Sequence, residues 1–225
     1  MIVRLIVQNF IWFGAMGILL FLAAGTFDWP GAWAYLVLMV VLSFTLGIDL
    51  ARRDPELLRE RMGSPVQRNQ PAADKVLLMA LFLFIFAWLV LMGFDVKRFA
   101  WSSVPALIQV LGALIILWSI WFCYRTMREN SFAAPVVKLQ RERGQRVIST
   151  GPYAFVRHPM YFGGSFYFIG TALLLGSWWG VMFAFVLIAL LCIRIPIEEK
   201  ALRAGLKGYD EYAGRVRYRL IPYVW

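Results

Sequence analysis

The sequence has little charge, two cysteines and one histidine. Only 16% of its 225 residues are charged, against roughly 25% in an ordinary soluble domain. This shortage excludes a soluble globule, because too few polar residues remain to cover its surface. Two cysteines exclude a disulfide scaffold. A metal site of known spacing needs more Cys or His than the chain has, so we expect no metal.

Hydrophobic residues make up 61% of the chain and aromatic residues 16%. Such a composition excludes disorder and leaves a polytopic membrane protein. A membrane-spanning helix needs about 20 apolar residues, and four runs reach that length. These runs cover residues 5–24, 32–50, 76–94 and 104–124.

A fifth apolar stretch, residues 161–195, is cut by the turn-forming segment 176–180 (GSWWG). The pattern predicts a tight helical hairpin, whose arms of about 15 residues are short for a bilayer and are expected to extend into flanking residues. We therefore predict an all-α polytopic membrane protein with about six transmembrane helices. No repeat or low-complexity linker divides the chain, so residues 1–225 form a single integral membrane domain.

The net charge of +10 is distributed very unevenly. With six crossings, 21 of the 23 Lys and Arg fall on one side, and only Lys97 and Arg98 fall on the other. The positive-inside rule then places both termini and both long loops, 51–75 and 125–158, in the cytoplasm. The charge thus indicates membrane topology, and we expect no nucleic-acid partner. The 51–75 loop is predicted to hold a short surface helix and turn; it is interpreted as a solvated loop, with lipid-headgroup contact as the alternative.

Candidate functional residues lie in the last 100 positions. The 125–158 loop is long enough to be functional, and it ends in Arg157-His158-Pro159. Proline suits the first turn of a helix, and a helix N-terminus attracts anionic groups such as a carboxylate. The alternative for this motif is a positive flank at the membrane boundary, with the lone histidine in a structural role.

A second group of charged residues closes the last apolar helix. Arg194 and Glu198 are four residues apart and share a helix face, with Pro196 between them as a predicted kink. Charged side chains this close to the bilayer are often functional; the alternative is an ion pair between Arg194 and Glu198 that marks the helix end. The tail from Lys200 alternates charges and tyrosines, and is predicted to lie on the membrane surface and cover a cavity.

Taken together, the order and spacing of these motifs resemble the isoprenylcysteine carboxyl methyltransferase family and its wider relatives, the membrane phospholipid methyltransferases. The residues that carry the resemblance are Asn130 to Phe132, Val136-Val137-Lys138, the segment 147–153 (VISTGPY), the segment 157–163 (RHPMYFG), Arg194, Glu198-Glu199 and the segment 209–212 (YDEY).

The resemblance implies methyl transfer from S-adenosylmethionine, at the cytoplasmic membrane face, to a lipophilic acceptor such as an isoprenylcysteine-type carboxylate. Residues 128–225 would be the catalytic region and 1–127 the N-terminal transmembrane helices. Arg194 would hold a carboxylate acceptor, and His158 would matter more for an amine acceptor, which must lose a proton. Lys138 replaces a Gln of the family, and Met160 replaces a small polar residue. The residues implied to surround the cofactor are Lys138, Gln145, Arg146, Val147, Ile148, Tyr153, Arg157, His158, Pro159, Met160 and Glu198.

Other functions stay open from the sequence. The acceptor could instead be a phospholipid amine or a small hydrophobic metabolite. A membrane NADPH-dependent sterol or steroid-type reductase would need a 2′-phosphate site, for which Arg141, Arg143 and Arg146 are the candidates. A transporter or scaffold would need polar residues deep in several helices. Only Gln8, Asn9 and Gln109 fit that description, so a proton-coupled pathway has little support.

Overall fold

The computed structural model describes residues 1–67 and 70–225, and within these ranges its regular structure is entirely helical. The predicted all-α class is confirmed. The α-helices, in chain order, are α1 (Ile2–Ala24), α2 (Pro30–Arg53), α3 (Pro55–Arg61), α4 (Ala72–Gly93), α5 (Ala106–Glu129), α6 (Pro159–Leu175), α7 (Trp178–Gly205) and α8 (Tyr209–Arg215). A π-helical turn (Phe94–Arg98) follows α4, and two 3-10 turns (Arg141–Arg143 and Gly151–Ala154) lie between α5 and α6.

Six of these helices form an integral membrane bundle. Five are long and apolar enough to cross a membrane, namely α1, α2, α4 with its π-helical turn, α5 and α7. The sixth, α6, is apolar but has only 17 residues. About thirty ångströms of hydrocarbon need about 20 residues of helix, so α6 is the short member of the predicted six.

The predicted hairpin is present, with α6 and α7 joined at Gly176 and Ser177. Gly176 adopts a left-handed conformation with φ of 87°, which glycine tolerates because it has no Cβ. Ser177 caps α7, since its Oγ accepts a hydrogen bond from the Gly180 amide at 2.7 Å. Of the two arms, α7 is much longer than 15 residues because Pro196 does not end it: the helix runs through the proline to Gly205.

Successive crossings place the connecting segments at two ends of the bundle. We call the end formed by α3, residues 130–158 and residues 206–225 the basic end. The opposite end consists of three short connections, at 25–29, 94–105 and 176–177. There, the Trp29 indole N–H donates to the Leu175 carbonyl at 3.2 Å and closes α2 onto the hairpin.

Close packing of α5 against α6 sets the position of the hairpin. A Cβ added to Gly112 would lie 2.5 Å from the Leu174 backbone nitrogen, and one added to Gly163 would lie 2.5 Å from the Cys123 sulfur. Small residues of this kind let two membrane helices approach to backbone contact. Ser119 adds a hydrogen bond from its hydroxyl to the Gly163 carbonyl, 2.7 Å long. The start of α6 is thereby fixed relative to α5.

The short helix α3 differs from its predicted environment. The expectation that residues 51–75 form a solvated loop is wrong for α3, because Leu57 and Leu58 are buried against Leu5 and Leu50. Asp54 caps α3 by accepting a hydrogen bond from the Leu57 amide at 2.9 Å. Its apolar face therefore anchors α3 to the bundle. Arg68 and Asn69 of the same loop lie outside the described residues.

Candidate active site

A cavity of about 370 Å³ opens at the basic end of the bundle. Its walls come from α3, α4, the 130–148 segment, α6, α7 and α8. The structure brings together on this one cavity every residue singled out from the sequence as catalytic or cofactor-binding. These residues are Lys138, Gln145, Arg146, Val147, Ile148, Tyr153, Arg157, His158, Pro159, Met160, Arg194 and Glu198.

Glu198 presents a carboxylate at the centre of the polar wall. The Tyr161 hydroxyl donates to its Oε2 at 2.5 Å, and His158 Nδ1 lies 3.8 Å from the same oxygen. The His158 ring stacks on the Tyr161 ring, with centroids 5.5 Å apart and an angle of 10° between the planes. The alternative of an ion pair between Glu198 and Arg194 is wrong, because Arg194 pairs with a different carboxylate.

That partner is Asp74, near the start of α4, which is fully buried. Arg194 Nε donates to Asp74 Oδ1 at 2.7 Å, and its Nη2 donates to the Pro135 carbonyl at 2.8 Å. Asp74 also accepts hydrogen bonds from the Gln70 side chain at 2.7 Å and from the Val137 amide at 3.0 Å. The guanidinium that the sequence analysis assigned to the acceptor is therefore held in a fixed position and neutralised.

Asp74 was not foreseen as part of the site. From the sequence it is one charge of the loop that precedes the apolar run at residue 76, and an acid in the first turn of a helix has a ready explanation in the helix dipole. Its burial is the observation that reveals a role, because a buried carboxylate needs a charged or hydrogen-bonding partner.

Glu199, the neighbour of Glu198, ties the start of α6 to α7. It accepts hydrogen bonds from Arg157 Nε at 2.7 Å, and its carboxylate lies 3.3 Å from His158 Nε2 and 3.3 Å from Arg219 Nε. The side chains of Glu199, Arg157 and His158 are all buried. One buried carboxylate thus meets three basic groups, of which Arg219 is partly exposed, so the negative charge of Glu199 is compensated away from water.

The same arginine fastens the C-terminal tail to the start of α6. Arg157 Nη1 donates to the carbonyls of Val216 and Arg217 at 2.8 and 2.9 Å. The amides of Arg157 and His158 donate to the carbonyls of Tyr218 and Arg219 at 3.0 and 2.9 Å. The role that the structure shows for Arg157 is therefore to hold the tail; its contact with a cofactor stays a prediction.

Three tyrosines complete the polar wall, of which Tyr209 and Tyr212 are buried and Tyr153 is partly buried. Tyr153 accepts a hydrogen bond from the Asn130 amide at 2.9 Å, and the Tyr212 hydroxyl donates to the Tyr153 carbonyl at 2.8 Å. Burial raises the pKa of Tyr153, Tyr209 and Tyr212, so these phenols are neutral at physiological pH. The Tyr209 hydroxyl is buried and has no hydrogen-bond partner among the described residues. A buried hydroxyl without a partner on a cavity wall is suited to a ligand.

Helix α3 holds the 130–148 segment against the cavity. Lys138 Nζ lies 2.5 Å from Glu60 Oε2, and Arg143 Nε donates to Glu56 Oε2 at 3.1 Å. Arg61 Nη1 donates to the Ala133 carbonyl at 3.0 Å, and Arg61 also lines the cavity. The sequence analysis missed Arg61, because a cation in the 51–75 loop reads as part of the positive-inside pattern.

The deep part of the cavity is apolar. It is bounded by side chains from the membrane-spanning parts of α4, α6 and α7: Leu78, Leu81, Phe82, Ile85, Phe168 and Leu191. The polar wall and this apolar part are continuous, with Arg194, Tyr161 and Glu198 where they meet. Such an arrangement accommodates a ligand that has a polar head and a long apolar tail.

Fold and cavity together define an integral membrane protein with a ligand-sized site at one end of its helical bundle. Residues 107–207 match the family model described as phospholipid methyltransferase. This segment runs from α5 to just beyond the end of α7 and includes the motifs that carry the resemblance noted in the sequence, except the segment 209–212. Over this segment the chain is similar to the phospholipid methyltransferases, and the resemblance noted in the sequence is confirmed.

Curated relatives and a solved structure agree with this assignment. The chain is 35% identical over 126 residues to protein-S-isoprenylcysteine O-methyltransferase of Saccharomyces cerevisiae, which covers 54% of the chain and 52% of that protein. It is 34% identical over 83 residues to protein-S-isoprenylcysteine O-methyltransferase B of Arabidopsis thaliana, which covers 36% of the chain and 42% of that protein. The matches thus span about half or less of these relatives.

The solved structure is that of the eukaryotic intramembrane Ras methyltransferase, isoprenylcysteine carboxyl methyltransferase. It superposes with a TM-score of 0.55 at 17% identity, over 95% of this chain and 74% of the other. At this identity the likeness shows the fold, and it extends the match beyond residues 107–207 to helices α1–α4.

Proposed function

We propose that the protein is an S-adenosylmethionine-dependent membrane methyltransferase that methylates a lipophilic acceptor, of which an isoprenylcysteine-type carboxylate is the leading candidate. The observation that carries the proposal is the single cavity in which the family motifs form a polar wall continuous with an apolar part between membrane helices. The two relatives, both protein-S-isoprenylcysteine O-methyltransferases, support the same chemistry. The excess of Lys and Arg at the basic end supports a cytoplasmic site and cytoplasmic termini.

The residues present suit this methyl donor. A volume of about 370 Å³ falls in the range of roughly 300–1,000 Å³ that is usual for ligand sites. Glu198 offers a carboxylate for hydroxyl or ammonium groups, Tyr153 offers an aromatic face for adenine or a sulfonium, and the unpartnered Tyr209 hydroxyl offers a hydrogen bond. When bound, S-adenosylmethionine supplies an activated methyl group on a sulfonium sulfur.

The contribution of the chain is orientation and exclusion of water. Asp74 and the Pro135 carbonyl fix the plane of the Arg194 guanidinium, so an acceptor that reaches Arg194 meets a donor group already in position. The apolar side chains of α4 and α7 keep water from the deep part of the cavity and strengthen electrostatic contacts at its polar edge. A carboxylate acceptor is already a nucleophile and needs no general base.

The surroundings of His158 favour a carboxylate acceptor over an amine. An amine must lose a proton, and the only histidine would be its natural base. Both ring nitrogens of His158 already face carboxylates, Nε2 toward Glu199 and Nδ1 toward Glu198. Because both nitrogens already face carboxylates of the protein, neither is free to approach an amine acceptor.

The reductase alternative has less support from the structure. Of the three arginines available for a 2′-phosphate, only Arg146 lines the cavity. Arg143 is bound to Glu56 and to the Ser131 carbonyl, and Arg141 is exposed. The three side chains therefore do not converge on one phosphate site.

The decisive experiment is incubation of the purified protein in lipid nanodiscs with methyl-labelled S-adenosylmethionine and host lipid extract, followed by identification of the labelled product. A base-labile methyl ester supports a carboxylate acceptor, and a labelled phospholipid amine supports the phospholipid alternative. Binding of NADPH without binding of S-adenosylhomocysteine would remove the methyltransferase proposal.

Two substitutions separate the proposed donor and acceptor contacts. Glu198→Ala is expected to weaken S-adenosylhomocysteine binding by about tenfold or more, whereas Arg194→Ala chiefly raises KM for the acceptor. Calorimetry with S-adenosylhomocysteine and initial rates against acceptor concentration measure the two effects. Equal cofactor affinity in Glu198→Ala and the parent would contradict the role given to Glu198.

A further inference from the structure

The basic side chains that line the cavity differ in whether a carboxylate neutralises them. Lys138 pairs with Glu60, Arg157 with Glu199, and Arg194 with Asp74. Within residues 1–67 and 70–225, two cavity-lining arginines have no carboxylate oxygen within 4 Å, and these are Arg61 and Arg146. A cation that faces a cavity without an internal counter-ion is available to an anionic ligand.

Arg61 is the less exposed of these two arginines, since it is partly buried whereas Arg146 is exposed. Its guanidinium has one hydrogen bond, from Nη1 to the Ala133 carbonyl, and the Cys123 thiol and the Tyr153 phenol are the titratable groups that act on its charge. Both groups are ordinarily neutral at physiological pH. Burial lowers the pKa of Arg61, but an arginine keeps its proton in proteins, so the site retains a positive charge.

Rigid elements hold Arg61 in this place. It is the last residue of α3, a helix anchored by the buried Leu57 and Leu58 and capped by Asp54. By contrast, Arg146 lies on an exposed segment, where water and salt screen its charge. Of the two unpaired arginines, only Arg61 is both held in place and partly shielded from water.

We propose that Arg61 is a second carboxylate-binding residue of the cavity, beside Arg194. The inference rests on the proposed function, because both expected ligands bring a carboxylate: the methionine part of the methyl donor, and an acceptor of the isoprenylcysteine type. Arginine suits either one, since its planar fork grips a carboxylate through two parallel hydrogen bonds. Arg194 already directs Nε and Nη2 of its guanidinium at Asp74.

The assignment gives the N-terminal half a direct part in the site. Arg61 precedes the segment 107–207 that matches the family model. Helix α3 therefore does more than support the 130–148 segment, since it also contributes a ligand contact from outside the matched region.

The test compares Arg61→Gln and Arg61→Lys with Arg59→Gln, an exposed arginine on the same helix. Affinities are measured by calorimetry in nanodiscs for two matched pairs of probes. The first pair is S-adenosylhomocysteine and its decarboxylated analogue, and the second is S-farnesylcysteine and its carboxamide. Melting temperatures of all variants confirm that they fold.

A carboxylate contact predicts that Arg61→Gln weakens binding of one carboxylate probe by about 10- to 100-fold, the usual value of a charged hydrogen bond. Binding of the matched neutral probe changes by less than about threefold. Arg61→Lys keeps the charge and recovers part of the loss, and Arg59→Gln changes neither pair. A loss confined to S-adenosylhomocysteine assigns the donor carboxylate, and a loss confined to S-farnesylcysteine assigns the acceptor.

The inference and the proposed function fail in different ways. Unchanged affinities in a folded Arg61→Gln protein, or equal losses for charged and neutral probes, overturn the role of Arg61 while the parent still transfers methyl groups. A parent protein that shows Arg61-dependent carboxylate binding but no methyl transfer overturns the proposed function alone. A parent that binds neither carboxylate probe overturns the inference.

Discussion

The two ends of the helical bundle both bury a carboxylate, but they use it differently. At the opposite end, Asp95 accepts hydrogen bonds from Ser102 at 2.7 Å and from Ser177 at 2.5 Å, next to the capped start of α7. At the basic end, Glu199 meets Arg157, His158 and Arg219 beside the cavity. At the end where the chain only turns, the partners of the buried carboxylate are neutral hydroxyls. Charged partners appear where long segments must be held over a site.

The first prediction breaks the basic end at its centre. Glu199→Ala leaves the buried Arg157 guanidinium without a counter-ion, and loss of one partner of a buried ion pair costs about 3–5 kcal/mol. We expect that loss in the free energy of unfolding, together with a tail that becomes protease-sensitive because Arg157 also holds it. Denaturant unfolding in detergent and limited proteolysis measure the two effects. The control is Glu211→Ala on the exposed side of α8, which should change neither.

The second prediction concerns the buried carboxylate at the start of α4. Asp74→Asn removes the charge that neutralises Arg194 but keeps an acceptor for the Val137 amide. We expect a loss of about 2–3 kcal/mol in stability and a fall in kcat/KM for the acceptor, because Arg194 is no longer fixed. Affinity for S-adenosylhomocysteine should stay within about threefold of the parent. An unchanged kcat/KM would show that the position of Arg194 does not matter to the reaction.

The fold and the site also show which features the sequence could predict and which it could not. The helices, the hairpin turn at Gly176 and Ser177, and the cavity-lining motifs were all foreseen, because hydrophobic runs and local motifs are properties of short segments. The α7 helix extends through Pro196 to Gly205, in line with the expected extension of the short arms, because Pro196 removes only one backbone hydrogen bond and the surrounding helix continues. Asp74 and Arg61 were missed because their partners lie about 60 or more residues away along the chain.

The roles of basic residues near the membrane boundary were hard to predict for one physical reason. Near the membrane boundary, a Lys or Arg can serve either topology or function, and the sequence does not show which of the two it serves. Burial and pairing separate the two explanations. Lys138 and Arg61 both line the cavity, but Lys138 is paired with Glu60, whereas Arg61 has no carboxylate within 4 Å in the described part of the chain.

The third prediction disturbs the opposite end without touching the site. Ser177→Ala removes the cap of α7 and one of the hydroxyls that bind Asp95. Loss of a serine cap usually costs about 0.5–2 kcal/mol, so we expect a lower melting temperature in nanodiscs and an unchanged affinity for S-adenosylhomocysteine. A large change in ligand affinity would mean that the two ends of α7 are coupled, and the comparison between them would no longer hold.

The smallest effect is expected for the ion pair of the opposite end. Lys97 Nζ lies 3.9 Å from Asp28, whose side chain is 90% exposed, so water screens the attraction and Lys97→Ala should change stability by well under 1 kcal/mol. The contrast with Glu199→Ala tests whether the contribution of the basic end's charges to stability depends on their burial rather than on the number of ion pairs. Removal of Lys97 also increases the asymmetry of Lys and Arg between the two ends, so accessibility labelling of single cysteines should show unaltered topology. If Lys97→Ala instead destabilised the protein as much as Glu199→Ala, exposed charge at the short connections would have to be counted as part of the structural framework.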